Sequence, residues 1–131
     1  MSSTLTITLG VSLSGDGVNT VPIATNTQTF TVQNTSTGGF SMAVPADSAY
    51  HAAPAALSTL VQYTSNQCFV CITNDSAYPS CTLAVNVTGD GGARLVIPPG
   101  MTCFAPWNVD TVLAFYAAGG NGVAIVTVIG S

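Results

Sequence analysis

The amino-acid sequence predicts an all-β protein, built as a β-sandwich or jelly roll of about eight to ten short antiparallel strands. Three observations lead to this prediction. Apolar and polar residues alternate with a period of two in several segments, which is the pattern of half-buried strands. Clusters of Gly, Pro, Asn and Asp separate these segments at short intervals. No segment of useful length carries the spacing of an amphipathic helix.

The first predicted strand covers residues 5–13 and has the cleanest alternation in the chain. Every odd position is apolar and the even positions are Thr, Gly or Ser, so one face is expected to be buried and the other wet. Gly15-Asp16-Gly17 ends this strand, because such residues favour turns. The other strands are predicted on the same grounds and cover residues 28–33, 40–44, 57–64, 68–73, 81–87, 94–97, 101–105, 111–117 and 122–129.

The segments between these strands are predicted as turns and loops. Residues 34–39 indicate a turn, residues 45–54 a loop, and residues 89–92 a hairpin loop. Within the strands, residues 68–73 are continuously apolar, which predicts a strand buried on both faces. No linker, repeat or run of charges divides the chain, so residues 1–131 are predicted to form a single domain of ordinary size.

The chain carries very little charge. It has five Asp, one Arg, one His and neither Glu nor Lys, so charged residues make up 5% of it, against about 25% in an average domain. Charged side chains are depleted at the centres of protein interfaces, whereas isolated monomers rely on surface charge for solubility. The composition therefore favours a surface covered by copies of the chain or by a partner. A stable β-protein with an unusually neutral surface is the alternative.

The same composition bears on other classes of partner. Nucleic acid is disfavoured, because phosphate binding needs basic residues and the net charge here is −4. No segment approaches the ~18 uninterrupted apolar residues of a membrane-spanning helix, so no membrane partner is predicted. The N-terminal residues lack the basic and apolar regions of a secretory signal, so we expect synthesis in a cytoplasm.

Four cysteines raise the question of a metal site. Cys68 and Cys71 form a C-x-x-C motif, and Cys81 and Cys103 follow it. Four thiolates can hold zinc, but a zinc knuckle places C-x-x-C in a tight turn. Here the motif falls in a predicted strand, where Cys68 and Cys71 point to opposite faces. Buried free thiols are therefore favoured, with a disulfide and then a metal site as alternatives; no metal or other cofactor is predicted.

His51 is the chain's one histidine, and a loop histidine can act as a general base. No Gly-x-Ser-x-Gly motif supplies a nucleophile for it. An ordinary loop histidine is therefore favoured, no catalytic residue is assigned, and the protein is not predicted to be an enzyme. The aspartates fall in predicted loops, where Asx turns are favoured over a calcium site. They are Asp16, Asp47, Asp75, Asp90 and Asp110.

Trp107 and Tyr116 have two competing interpretations. They fit an aromatic platform for a sugar, and they also fit the core or a subunit interface of a β-sandwich. The core or interface is favoured, because aromatic residues are ordinary core residues in sandwiches.

The C-terminal half, about residues 57–131, has a distinctive order of motifs. Strands and a turn are followed by a Pro-Pro-Gly segment and then by two terminal strands. The motifs are Phe69-Val70-Cys71-Ile72-Thr73-Asn74, Leu83-Ala84-Val85-Asn86-Val87, Leu95-Val96-Ile97-Pro98-Pro99-Gly100, Val112-Leu113-Ala114-Phe115-Tyr116-Ala117 and Val123-Ala124-Ile125-Val126-Thr127-Val128.

This order resembles small structural proteins of tailed bacteriophages, in particular the capsid decoration or cement proteins. The resemblance implies a β-sandwich or jelly roll on the capsid surface of the virion, lying across joints between capsid subunits. It implies the major capsid protein and further copies of the chain as partners, with a trimer favoured and a dimer possible. A head-fibre, tail or receptor-binding virion component, or a carbohydrate-binding β-sandwich module, is the alternative.

Residues 1–14 are predicted to be an N-terminal strand or arm used in assembly. A strand at a terminus can pair its backbone with the open edge of a neighbour's sheet, and this one alternates cleanly. The candidate assembly contacts are Leu5, Ile7, Leu9, Val11, Leu13 and Trp107.

Overall fold

The computed structural model describes residues 3–9, 26–32, 37–62, 67–87 and 95–130. Within these ranges it contains ten β-strands, one short 3-10 turn, and no helix long and apolar enough to cross a membrane. The predicted all-β sandwich is confirmed. The elements are β1 (Ser3–Leu9), β2 (Asn26–Val32), β3 (Thr37–Val44), β4 (His51–Ala52), the 3-10 turn (Leu57–Thr59), β5 (Gln67–Asn74), β6 (Thr82–Val87), β7 (Leu95–Ile97), β8 (Thr102–Asn108), β9 (Leu113–Ala118) and β10 (Gly122–Gly130).

Eight strands form two four-stranded antiparallel sheets. The first sheet has the order β3-β10-β5-β8 and the second has the order β4-β9-β6-β7. Phe40 of the first sheet and Phe115 of the second meet edge to face, with ring centroids 6.3 Å apart. β1 and β2 form a separate two-stranded antiparallel sheet, in which Leu5 lies opposite Phe30.

The core lies between the two four-stranded sheets. Ala124, Val126 and Val128 of β10 are at most 2% exposed, because every second residue of a strand points to the same side. Leu83 and Phe115 of the second sheet are fully buried and belong to the same cluster. Burying a Val, Leu or Phe side chain contributes about 1.5–3 kcal/mol, so this alternation supplies the main force that holds the sheets together.

Asn74, the last residue of β5, connects the two sheets through hydrogen bonds. Its side chain is fully buried, and its Nδ2 donates to the carbonyls of Cys81, at 2.8 Å, and Ile97, at 2.9 Å. Cys81 directly precedes β6 and Ile97 ends β7, so one amide holds two strand ends of the second sheet. Its Oδ1 has no hydrogen-bond partner among the described residues. Because buried polar groups are costly without partners, the two donated bonds are the reason this amide is tolerated.

The predicted strand over residues 57–64 is wrong over its described part, which contains the 3-10 turn. Leu57 and Val61 are both buried, and their spacing of four residues fits a helical turn better than a strand. The Leu57 N–H donates to the carbonyl of Thr111 at 3.0 Å. The segment therefore closes one end of the sandwich; residues 63–64 lie outside the described residues.

Two glycines let the chain pass close to this closing segment. A β-carbon at Gly38 would collide with the carbonyl oxygen of Leu60, and one at Gly130 would collide with that of Gln62. Gly in a strand often marks such a close approach of another backbone. The glycines of β3 and β10 thus allow the end of the sandwich to close.

Three other boundaries differ from the predictions. β3 begins within the predicted turn of residues 34–39, and β4 lies within the predicted loop of residues 45–54, where it pairs with β9. β8 continues past residue 105 through Pro106, which is compatible with its position at the edge of its sheet. The predicted hairpin loop of residues 89–92 lies outside the described residues.

Candidate functional site

The first sheet presents a broad surface on the side away from the core, called here the outer face. Its members alternate along each strand with the buried core residues. None carries a charge, and all but Phe69 are partly or fully exposed. They are Gly39, Ser41, Ala43, Phe69, Cys71, Thr73, Thr102, Phe104, Pro106, Asn108, Val123, Ile125, Thr127 and Ile129.

Two large apolar side chains stand out on the outer face. Ile125 of β10 is 38% exposed and Phe104 of β8 is 37% exposed. The Phe104 ring stacks on the ring of Phe69, with centroids 5.8 Å apart and an interplanar angle of 16°. Phe69 itself is buried, so the exposed apolar surface here belongs to Phe104, and the register places the partly exposed Ile129 of β10 opposite Phe69.

The polar groups of the outer face are neutral and partly satisfy one another. The hydroxyl groups of Thr73 and Thr102 lie 2.8 Å apart across β5 and β8. Thr127 lies opposite Cys71, which in turn lies opposite Phe104. A surface of this kind can be covered by apolar packing and neutral hydrogen bonds without desolvating an ion, which is the costly step at charged interfaces.

The outer face of the second sheet is different. Its described members are small or polar, apart from Val96, which is 62% exposed, and Tyr116. Tyr116 is covered in part by Tyr50, with ring centroids 5.4 Å apart. The remaining members are Ala52, Thr82, Ala84, Asn86, Ala114 and Ala118.

The β1–β2 sheet contains three of the predicted assembly contacts. Leu5, Ile7 and Leu9 lie on β1, while Val11 and Leu13 lie outside the described residues. The threonines that alternate with them pair across the strands, with Thr4 opposite Thr31, Thr6 opposite Thr29 and Thr8 opposite Thr27. Thr6 is exposed. The role of Leu5, Ile7 and Leu9 as assembly contacts stays a prediction.

Trp107 is not part of the outer face. It lies on the core side of β8, opposite Cys68 in the register, and packs against the core cluster. Its other surroundings form a groove of about 680 Å³ at the end of the sandwich. The groove is lined by Val87, Leu95, Pro106, Trp107, Asn108, Asp110, Thr111 and Val112.

His51 pairs with a carboxylate near β4. Its Nε2 lies 2.8 Å from Asp47 Oδ1, which also accepts the N–H of Ala49 at 3.2 Å in an Asx turn. The hydrogen bond to His51 lowers the pKa of Asp47. Asp75 forms the same kind of turn with the N–H of Ala77 at 3.0 Å, so two of the predicted Asx turns are confirmed. Asp16 and Asp90 lie outside the described residues.

The four cysteines are free, but only two of them are buried. Cys68 and Cys81 are fully buried, whereas Cys71 and Cys103 are partly exposed. Burial raises the pKa of Cys68 to about 11, and it also raises the pKa values of Cys81 and Cys103. As a strand requires, Cys68 faces the core and Cys71 lies on the outer face. The described residues contain no group of three or more His, Cys, Asp or Glu able to hold a metal ion.

The outer face and the groove were not identified from the sequence. β10 carried a usable signal, because it is apolar at both parities: Ala124, Val126 and Val128 alternate with Val123, Ile125 and Ile129. A strand that covers a core on one side needs only one of these two sets. The groove had no comparable signal, since its lining residues come from three separate parts of the chain.

Comparison of the sequence with protein-family models and with curated proteins found no match.

Proposed function

We propose that this protein is a structural component of a phage virion, a capsid decoration protein that stabilises the head by bridging capsid subunits. The observation that carries the proposal is the uncharged outer face of the first sheet, with Ile125 and Phe104 exposed on it. The resemblance of residues 57–131 to decoration proteins supports a phage capsid as the assembly that this surface contacts. The role needs no catalytic residue, cofactor, nucleic acid or membrane.

The energetics favour a covered outer face. Apolar burial contributes roughly 25 cal/mol per Å², so covering about 200 Å² contributes roughly 5 kcal/mol before the cost of association. The same contact repeated over many capsid joints would resist the internal pressure of packaged DNA. An exposed apolar patch commonly marks such an interaction site.

The partners are the major capsid protein and further copies of the chain, with a trimer favoured over a dimer because trimers match local threefold sites of icosahedral shells. The protein would be made in the host cytoplasm and reside on the capsid surface. The β1–β2 sheet and residues 1–14 supply the bridging arm. Because the outer face is neutral, association should depend little on salt, since screening acts on charges.

A charge placed on the outer face tests the proposal. Ile125→Asp should convert the oligomer to monomer in sedimentation velocity and abolish binding to the shell, because it buries an unpaired carboxylate. Val96→Asp is the matched control: it adds the same charge at an exposed position of the opposite sheet and should leave both properties unchanged. Equal behaviour of the two variants would refute the role of the outer face.

The identity of the assembly needs a separate measurement. Electron microscopy of the particles that copurify with the protein should show a shell with copies in the hundreds. A handful of copies at a tail or fibre would replace the decoration role with another virion role. A wild-type protein that is monomeric at micromolar concentration, and found on no particle, would refute both.

A further inference from the structure

The groove at Trp107 has the size of a small-molecule site. Its volume of about 680 Å³ falls within the roughly 300–1,000 Å³ of known ligand pockets. One wall is the end of β8, and it continues into the turn that leads to β9. The other wall is formed by Val87 at the end of β6 and Leu95 at the start of β7.

Hydrogen bonds hold the turn that lines the groove in place. Asn108 accepts the N–H of Asp110 through its side chain, at 2.9 Å, and the N–H of Thr111 through its carbonyl, at 3.2 Å. Val109 between them is fully buried, and its carbonyl accepts the N–H of Ser58 at 2.7 Å. The backbone of the turn and the side chain of Asn108 are thus fixed before a ligand arrives, which reduces the entropic cost of binding.

The lining of the groove combines two kinds of chemistry. Trp107 and Pro106 supply rings, while Asn108, Asp110 and Thr111 supply an amide, an exposed carboxylate and a hydroxyl group. Aromatic rings present a flat apolar surface to the C–H groups of a pyranose ring. Carboxylate and amide oxygens accept hydrogen bonds from sugar hydroxyl groups.

From this geometry we infer that the groove is a binding site for a neutral oligosaccharide of hexopyranose units. A sugar is favoured because it combines apolar C–H faces, which match the rings of the lining, with hydroxyl groups, which match its polar side chains. A neutral sugar is favoured because Asp110 and the net charge of −4 repel anions. The groove shares Pro106 and Asn108 with the edge of the outer face, but Ile125 and Phe104, which carry the proposed assembly role, do not line it.

Tryptophan fluorescence reports directly on the groove, because Trp107 is the one tryptophan of the chain. Cellohexaose and maltohexaose should be titrated into the protein while its intrinsic fluorescence is followed, with hexameric oligogalacturonate as the acidic comparison. At least one neutral hexaose should shift the emission saturably, with Kd between roughly 10 µM and 10 mM, and the acidic probe should not. Trp107→Phe, measured by calorimetry, should bind more weakly while remaining folded.

Asp110→Asn should weaken binding of the neutral probe about fivefold, because an amide offers fewer acceptor sites than a carboxylate. Asp75→Asn is the matched control, a partly exposed loop aspartate that does not line the groove, and it should bind like the wild type. The inference is overturned if neither neutral hexaose changes the emission, or if both variants lose affinity equally. It is also overturned if the emission responds only to protein concentration, which would make the groove a subunit contact.

Discussion

The two sides of β10 carry similar apolar residues but differ in their exposure to solvent. On the inner side, Ala124, Val126 and Val128 are at most 2% exposed and pack between the sheets. On the outer side, Ile125 is 38% exposed, although it is as apolar as its neighbours. The inner set is sufficient for a sandwich core, so the apolar residues of the outer set are not explained by folding alone. The comparison predicts that inner substitutions act on stability and outer substitutions on association.

The largest effect on stability is expected at Asn74, the fully buried last residue of β5. Asn74→Asp replaces an amide that donates to two carbonyls with a carboxylate that cannot donate. Because the site is fully buried, the free energy of unfolding should fall by more than about 3 kcal/mol, as measured by urea denaturation.

Asn121→Asp is the matched control for this change. Asn121 is exposed, and its Oδ1 accepts the N–H of Ala46 at 2.9 Å, which a carboxylate can also do. Its free energy of unfolding should change by less than about 0.5 kcal/mol. Equal losses in the two variants would mean that Asn74 does not act through its donated hydrogen bonds.

A second test makes the same substitution on both sides of β10. Val126→Thr places a hydroxyl group in the core and should lower the free energy of unfolding by about 2 kcal/mol. Val123→Thr places it on the outer side, where it should cost less than about 0.5 kcal/mol. Thermal and urea unfolding measure both values. Similar costs at both positions would mean that the outer side of β10 is as closely packed as the core.

The sequence predicted the parts of the fold that depend on local pattern. Period-two alternation located β6, and the continuous apolar run over residues 68–73 located β5. It misplaced residues 57–64, because Leu57 and Val61 are buried by the closure of the sandwich end and not by strand pairing. Tertiary context also creates the outer face and the groove. Which of two apolar faces meets the second sheet, and which separate segments line a groove, are set by the packing of the whole chain.

The buried thiol on the inner side gives a third test. Burial raises the pKa of Cys68 to about 11 from an ordinary value of 9.0, so the folded protein keeps this proton where the unfolded chain loses it. The associated stability is fully present below pH 9.0 and is lost as the pH rises towards about 11. The free energy of unfolding should fall by at most about 1.4 kcal/mol per pH unit in this window. Cys68→Ala should remove this part of the pH dependence; an unchanged slope would contradict it.

The smallest effect on stability is expected from chemical labelling of the two sides of β5. Cys71 is partly exposed on the outer face, whereas Cys68, three residues earlier, is fully buried in the core. In the monomer, iodoacetamide should modify Cys71 without unfolding the protein, and Cys68 should react only through global unfolding, as read by mass spectrometry.

Because the outer face is the proposed contact, assembly should slow the labelling of Cys71. The rate for Cys71 in the Ile125→Asp variant should stay at the monomer value at every protein concentration. If Cys71 instead reacts equally fast in the monomer and in the assembly, its part of the outer face stays open to solvent, and the contact must lie elsewhere.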